Sequence, residues 1–310
     1  MKKNFKARGR DISGWLIFDK PHAMGSTEAV SYIKKLFKAQ KVGHAGTLDP
    51  LASGMLPIAL GSATKTVSYV MDGEKSYIFK VTWGQERSTD DLEGEITESS
   101  TNRPTRESIE ELLPKYTGKL LQHPPLYSAL KINGVRAYDL IRNGNTPALQ
   151  PRTVEISSFE IIEHTENMTS FMVKCGKGTY IRSLARDLGR ELNCFGHISY
   201  LRRLSVLPFT ESTMISKEQL DALSSETATD DLETLDNLLI SPLMALTNLP
   251  QSNICKQEVI DISHGRPILL RNNITDFDAF CVKYNDDIIA LGCVTHGVFY
   301  PKKVFNAYIE

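Results

Sequence analysis

The chain has 310 residues and a formal net charge of -1, with 41% hydrophobic and 24% charged residues. That is ordinary globular composition with enough chain for two domains, and it excludes a disordered, collagen-like or fibrous protein. No apolar run reaches the roughly 18–20 residues of a membrane span, and Met1-Lys2-Lys3 is followed by Arg8, Arg10 and Asp11 rather than by the apolar stretch of a signal peptide.

From the N-terminus, Ser26 reads as the N-cap of a helix with Glu28 in its first turn. Val30, Ile33 and Phe37 recur at helical spacing through about Gln40. Lys34, Lys35, Lys38 and Lys41 give this helix a basic flank. A glycine-rich loop follows, from Gly43 to Gly54. Its glycines permit backbone conformations closed to other residues, and Pro50 pushes Asp49 toward an extended conformation. One carboxylate is thus held on a stiff, sharply bent loop. By composition alone, an Asp-Pro step in such a stretch is first of all a turn initiator.

Tyr77, Phe79, Val81 and Trp83 alternate along a strand at 76–84, and a helix is expected at 105–117. Residues 123–152, rich in Pro, Gly, Asn and basic groups, read as an exposed insertion with a short helix near 136–143. Strands at 154–163 and 169–175 form an expected hairpin. Gly176-Lys177-Gly178 then leads into a helix at 182–193, on which Leu184, Leu188 and Leu192 make a core stripe. Arg182, Arg186 and Arg190 repeat on another face. A strand at 198–207 follows. The acidic stretch 224–236 precedes a β-rich segment, 248–310, that reads as a small β-barrel, with strands at 279–284, 288–295 and 298–305.

Charge is balanced overall and segregated locally. Residues 85–111 hold nine acids against three arginines, whereas residues 174–203 hold seven basic groups against Asp187 and Glu191. Segregation of this kind can make a positive face suited to phosphate backbones, or simply solvated surfaces. The five cysteines, at 175, 194, 255, 281 and 293, form no C-x-x-C pair, which points to small core thiols in a reducing cytoplasm. Phosphate-binding, zinc-protease, dinucleotide and serine-elbow motifs are absent, which disfavours metal and nicotinamide chemistry.

The loop Gly43-His44-Ala45-Gly46-Thr47-Leu48-Asp49-Pro50-Leu51-Ala52-Ser53-Gly54 resembles the signature loop of TruB-type tRNA pseudouridine synthases. Leu16-Ile17-Phe18-Asp19-Lys20-Pro21 resembles that family's first motif. Gly176-Lys177-Gly178-Thr179-Tyr180-Ile181-Arg182 and Tyr200-Leu201-Arg202-Arg203 resemble its later ones. Tyr127-Ser128-Ala129-Leu130-Lys131 is similar to its insertion. The resemblance covers about residues 9–208 in the family's order; the last segment resembles an RNA-binding PUA domain more weakly.

The resemblance implies an α+β fold: a mixed, mainly antiparallel sheet flanked by helices, plus a small C-terminal PUA-like β-barrel. It divides the chain into a catalytic domain at 1–247, with the insertion at 123–152, and an RNA-binding domain at 248–310. It implies isomerisation of uridine to pseudouridine at position 55 in the T loop of tRNA. Asp49 is implied as the catalytic aspartate, Tyr77 as the tyrosine on the base and Arg182 as the partner of Asp49. His44, Tyr180 and Leu201 are implied around the flipped base, with Lys20 beside them in a structural part. Lys131, Arg136, Arg142, Arg152, Arg186 and Arg190 are candidates for the RNA backbone.

The chemistry agrees with these residue types. One carboxylate can split a hard bond exchange into easier steps, and no redox change occurs, so no cofactor or metal is called for. An arginine within ~4–6 Å holds a carboxylate ionised, and its planar fork orients it. A uridine in a loop flips at lower cost than one in a duplex. The expected partner is the T arm of tRNA, bound by a monomer with no membrane and no protein partner. An RNA-remodelling protein with incidental chemistry, and a guide-RNA-dependent relative, are the alternatives.

Overall fold

The computed structural model describes residues 9–128, 130–132, 135–136, 141, 149–226, 232–271 and 274–305. The expected helix at 136–143 and Arg142 lie outside them, apart from isolated positions, and the side chains of Lys131 and Arg136 are likewise not described.

The large sheet is built from β1 (Gly14–Lys20), β2 (Val42–His44), β3 (Ser53–Leu60), β4 (Lys75–Trp83), β7 (Gly118–Gln122), β10 (Arg152–Thr165), β11 (Met168–Cys175), β12 (Gly196–Val206) and β13 (Ile215–Ser216). Two short ribbons, β5 (Gln85–Arg87) with β6 (Ile96–Ser99) and β8 (Lys131–Ile132) with β9 (Val135–Arg136), stand apart from it. The strand order is β13-β1-β3-β12-β4-β11-β10-β7, with β2 on β3. Only β13 on β1 and β12 on β3 are parallel; the other pairs are antiparallel. This is the mixed, mainly antiparallel sheet expected.

Alternation along β4 explains its central place. Tyr77, Phe79, Val81 and Trp83 are all buried on one face, where Phe79 stacks on Phe171 of β11 at 5.2 Å between ring centroids. Helices α1 (Ser26–Leu36), α2 (Val67–Asp72), α3 (Arg106–Leu112) and α4 (Ile181–Glu191) flank the sheet. The stripe Leu184 and Leu188 of α4 packs in the same core as β4. Helix α1 is shorter than expected because Lys38 takes a positive φ of 50° and ends it.

The C-terminal region forms a second, five-stranded sheet: β14 (Gln251–Asn253), β15 (Ile268–Leu269), β16 (Phe277–Tyr284), β17 (Asp287–Thr295) and β18 (Val298–Val304). Its order is β14-β16-β17-β18-β15, curled as a half-barrel around its own core of Val282, Ile289, Phe299 and their neighbours. A third apolar cluster, with Leu246, Cys281, Leu291 and Phe305 buried and Tyr69 of α2 packed on it, joins this sheet to α2. No helix among the described residues is long and apolar enough to cross a membrane.

Candidate active site

The loop between β2 and β3 carries Asp49, and both chain neighbours of Asp49 are pinned. Ser26 Oγ donates to the Leu48 carbonyl at 2.7 Å and accepts from the Leu48 amide at 2.9 Å. Ser26 is therefore no N-cap: Gly25 takes that place, and the hydroxyl is spent on the loop instead. On the other side, Lys20 Nζ donates to Pro50 O at 3.3 Å, Met24 O at 2.7 Å, Pro21 O at 3.1 Å and Ala52 O.

Lys20 is fully buried, and burial lowers its ammonium pKa to about 8 against the opposing pull of Asp49. A group so enclosed touches no substrate; its placement with the binding residues is corrected to that of a loop clamp. Gly54 closes the loop with a φ of 97°, and a Cβ there would stand 2.2 Å from Arg203 O. Only glycine fits that approach.

Arg182 occupies the first turn of α4, where its side chain is 7% exposed and its Nε lies 2.9 Å from Asp49 Oδ2. The Nε–H is not aimed along that line, so the contact is an ion pair rather than an aligned hydrogen bond. The rest of the guanidinium is anchored: Nη1 donates to Thr89 O at 2.7 Å, Nη2 to Tyr127 O at 2.9 Å. Asp91 Oδ2 stands 3.6 Å from Nη1. Asp49 keeps 38% of its side chain exposed, so the carboxylate is held by a buried cation and still open to a ligand.

Tyr77 faces Arg203 across the β4–β12 ladder. Burial raises its phenol pKa, and the Arg203 charge opposes that shift. Arg203 itself is 2% exposed and donates from Nε to Met55 O at 2.7 Å and from Nη2 to Gly46 O at 3.1 Å. Tyr180 precedes α4, and the buried amide of Gln122 grips its backbone at both ends: Tyr180 N donates to Oε1 at 2.8 Å, and Nε2 donates to Tyr180 O at 3.0 Å.

A cleft of about 650 Å³ brings Asp49, Tyr77, Tyr180, Arg182 and Leu201 together. His44 is not among its lining residues. It lies on β2 with a buried, unpartnered Nδ1, and burial together with the Arg203 charge lowers its pKa.

Of two expected backbone contacts on α4, Arg186 is corrected to an inward-facing residue, and Arg190 stays at the surface. Arg186 is 8% exposed; it pairs with Asp90 at 3.0 Å and Asp187 at 2.8 Å, and donates to His123 O at 2.9 Å. Arg190 makes a two-pronged pair with Glu86, both bonds 2.7 Å. Arg186 thus meets the acidic stretch 85–111 along an inner seam, whereas Arg190, its side chain 56% exposed, reaches the same stretch from the surface. The seam also holds Asp90 at a φ of 64°, with burial raising its pKa to about 6 despite Arg186.

Ser26, Gln122, Asp90, Asp91 and Arg203 are the supporting residues that sequence reasoning passed over. The four-residue spacing of the arginines against a nearby acidic run was the one available signal for the seam. No group of three or more metal-ligating side chains is present among the described residues.

Residues 34–181 match the family model for the N-terminal domain of TruB family pseudouridylate synthases. Residues 182–246 match that for the tRNA pseudouridylate synthase B C-terminal domain. The chain is 51% identical to proteins named tRNA pseudouridine synthase B from Bartonella tribocorum and Brucella ovis, over 99% of this chain and 100% of each relative. Among solved structures it resembles a chain of a Cbf5-Nop10-Gar1 complex, with 27% identity and a TM-score of 0.73 over 94% of this chain and 84% of that one. It also resembles a chain of an H/ACA RNP bound to a substrate RNA containing 2'-deoxyuridine, with 25% identity and a TM-score of 0.72, covering 95% of this chain and 85% of that one.

Proposed function

We propose, from the premise that the chain belongs to the TruB family of pseudouridine synthases, that it converts uridine to pseudouridine at position 55 in the T loop of tRNA, with Asp49 carrying the chemical step. The observation that carries this reading is the half-open Asp49 carboxylate, 2.9 Å from a buried arginine at the cleft it shares with Tyr77.

The reaction breaks the C1'–N1 bond, turns the uracil and forms a C1'–C5 bond. One proton leaves C5 and one is taken up at N1, so nothing is oxidised and no group is lost. A single carboxylate suffices, unlike glycoside hydrolysis, which places two around a water. Arg182 favours the ionised carboxylate and fixes its direction. Asp49 itself cannot drift, because Leu48 and Pro50 on either side are tied down.

Tyr77 offers its ring to the base, a contact worth ~1–3 kcal/mol, and its oxygen to the C5 proton. Leu201, 8% exposed, supplies a dry wall that keeps water from the parted sugar and base. The C-terminal half-barrel, as a PUA-like unit at 248–310, adds RNA surface outside the cleft. The protein works as a monomer on tRNA without a guide RNA, in a reducing cytoplasm that suits its five free cysteines.

The test is release of tritium from uracil C5 of an unmodified tRNA transcript, with purified protein in excess EDTA. One equivalent released, and none when the T-loop uridine is replaced by cytidine, is the expected result. Binding without release overturns the reading in favour of RNA remodelling.

A further inference from the structure

The cleft is lined by several charged side chains, and among the described residues all but one have a carboxylate, carbonyl or guanidinium partner. Asp49 and Arg182 hold each other. Lys177 pairs with Asp72 at 2.8 Å. Lys75 spends its ammonium on the carbonyls of Met71 and Gly73, and Arg203 spends its guanidinium on those of Met55 and Gly46. Arg152 differs: among the described residues it has neither a carboxylate nor a carbonyl partner.

What Arg152 does have is a support. Its guanidinium carbon lies 5.6 Å from the centroid of the Tyr180 ring, and its Nη1 runs close beside Gly178. A guanidinium over a ring face is drawn to it by cation–π attraction. Its five N–H donors lie in its own plane, and a contact with the ring uses none of them as a hydrogen bond to oxygen. The support is itself held in place. Arg152 opens β10 directly opposite Gln122, and the Gln122 amide grips the backbone of Tyr180. One short stretch of β7 therefore sets the position of both partners.

A planar cation in a cleft, with no carboxylate or carbonyl partner among the described residues, matches an oxyanion that presents two oxygens side by side. Uracil carries no charge; the anion that accompanies a flipped nucleotide is its phosphodiester. We propose that Arg152, lying over the Tyr180 ring, binds a phosphodiester flanking the target uridine and anchors the RNA strand at the cleft. This rests on the reading of the protein as a uridine isomerase on RNA. It assigns Arg152 a part in binding and none in the bond exchange.

The test uses the full chain and T-arm RNA hairpins in which the phosphates around the target uridine are replaced, one at a time, by neutral methylphosphonates. Affinity is measured across a salt series, and the rate of the saturated complex in single turnover. Arg152→Ala is expected to weaken binding about tenfold and to lower the slope of log affinity against log salt by about 0.7–0.9, the value of one lost phosphate contact. The rate of the bound complex stays unchanged, and Arg152→Lys keeps the slope.

One methylphosphonate position is expected to cost the wild-type chain about as much as the mutation, and to cost Arg152→Ala nothing further, as two changes to one contact must. That arm needs no variant to fold for its wild-type half. An unchanged salt slope, strictly additive losses at every phosphate, or a slower bound complex with intact affinity each overturn the proposal. Tritium release by the wild-type chain on unmodified RNA is read in parallel. Its absence refutes the isomerase reading, whereas the binding arms decide Arg152 by themselves.

Discussion

The large sheet and the C-terminal half-barrel have both been given closed apolar cores, yet they treat charge in opposite ways. Lys20, Lys75, Glu86, Asp90, Asp91, Arg182, Arg186 and Arg203 are all buried, and all lie between positions 20 and 203. No buried polar or charged residue is found among the described residues beyond Arg203. Burying a charge is costly unless it is paired and hydrogen-bonded, and well-packed apolar groups usually serve stability as well or better. The half-barrel follows that economy. The large-sheet region departs from it at the cleft and along the α4 seam, and such departures concentrate where a reaction needs fixed charges.

The contrast is broken most severely at Asp49. Asp49→Asn is expected to reduce turnover by at least about 10³-fold, the scale seen on removing a nucleophile, while tRNA binding and unfolding midpoint stay near wild type. The proposed function gives this partly exposed carboxylate a chemical part, so its loss should spare the fold. Substantial turnover by this variant, measured by tritium release, removes Asp49 from the chemical step.

Lys20→Met should damage fold and activity together. It strips the donor from carbonyls at Pro21, Met24, Pro50 and Ala52. Leaving buried acceptors unpaired costs about 1–3 kcal/mol each before relaxation, so a loss of about 3 kcal/mol in urea unfolding is expected. Turnover should fall by about 10²-fold as Asp49 shifts from its place. A variant that loses stability alone would show that the loop holds its shape without the clamp.

Asp90 sharpens the contrast through pH. Its folded pKa is about 6 against an ordinary 3.8, so the folded protein binds the proton more tightly than the unfolded chain. This group therefore favours folding most below pH 3.8, loses that contribution as pH rises to about 6, and is flat above. The shift corresponds to about 3 kcal/mol. The stability of the wild type relative to Asp90→Asn should fall by about that order between pH 4 and 6.5. Parallel stability curves for the two would mean that Asp90 sits in water rather than in the seam.

The smallest effect belongs to the half-barrel. Ile289→Val in its core should cost about 1 kcal/mol and leave the rate of the bound complex unchanged. A slowed chemical step would show the two sheets to be coupled more closely than their separate cores suggest.

Much of this architecture was legible in the chain. Alternation at Tyr77, Phe79, Val81 and Trp83, and the leucine repeat on α4, reveal which face is apolar, because burial selects side chains with the period of the backbone. The Gly-rich loop with Asp49-Pro50 showed where a carboxylate would be held. What the chain could not show is which charge meets which. Arg182, Arg186 and Arg190 look alike in sequence, with the same residue type and the same spacing. Only the fold distinguishes them, by setting the first against Asp49 and the other two against Asp90 and Glu86.

Ser26 makes the same point: a helix cap by local rules, it is taken up by Leu48, a loop residue brought against it by the β-sheet. Local preference and apolar periodicity are properties of neighbouring residues, so the strand Lys75–Trp83, the helix Ile181–Glu191, their core faces and the residue types of the site could be read along the chain, whereas the strands Gly14–Lys20 and Ser53–Leu60 could not. Ion pairing and carbonyl capture act between residues far apart in the chain, and their strength turns on burial and on distances of a few ångströms. Those were decided by the tertiary structure alone.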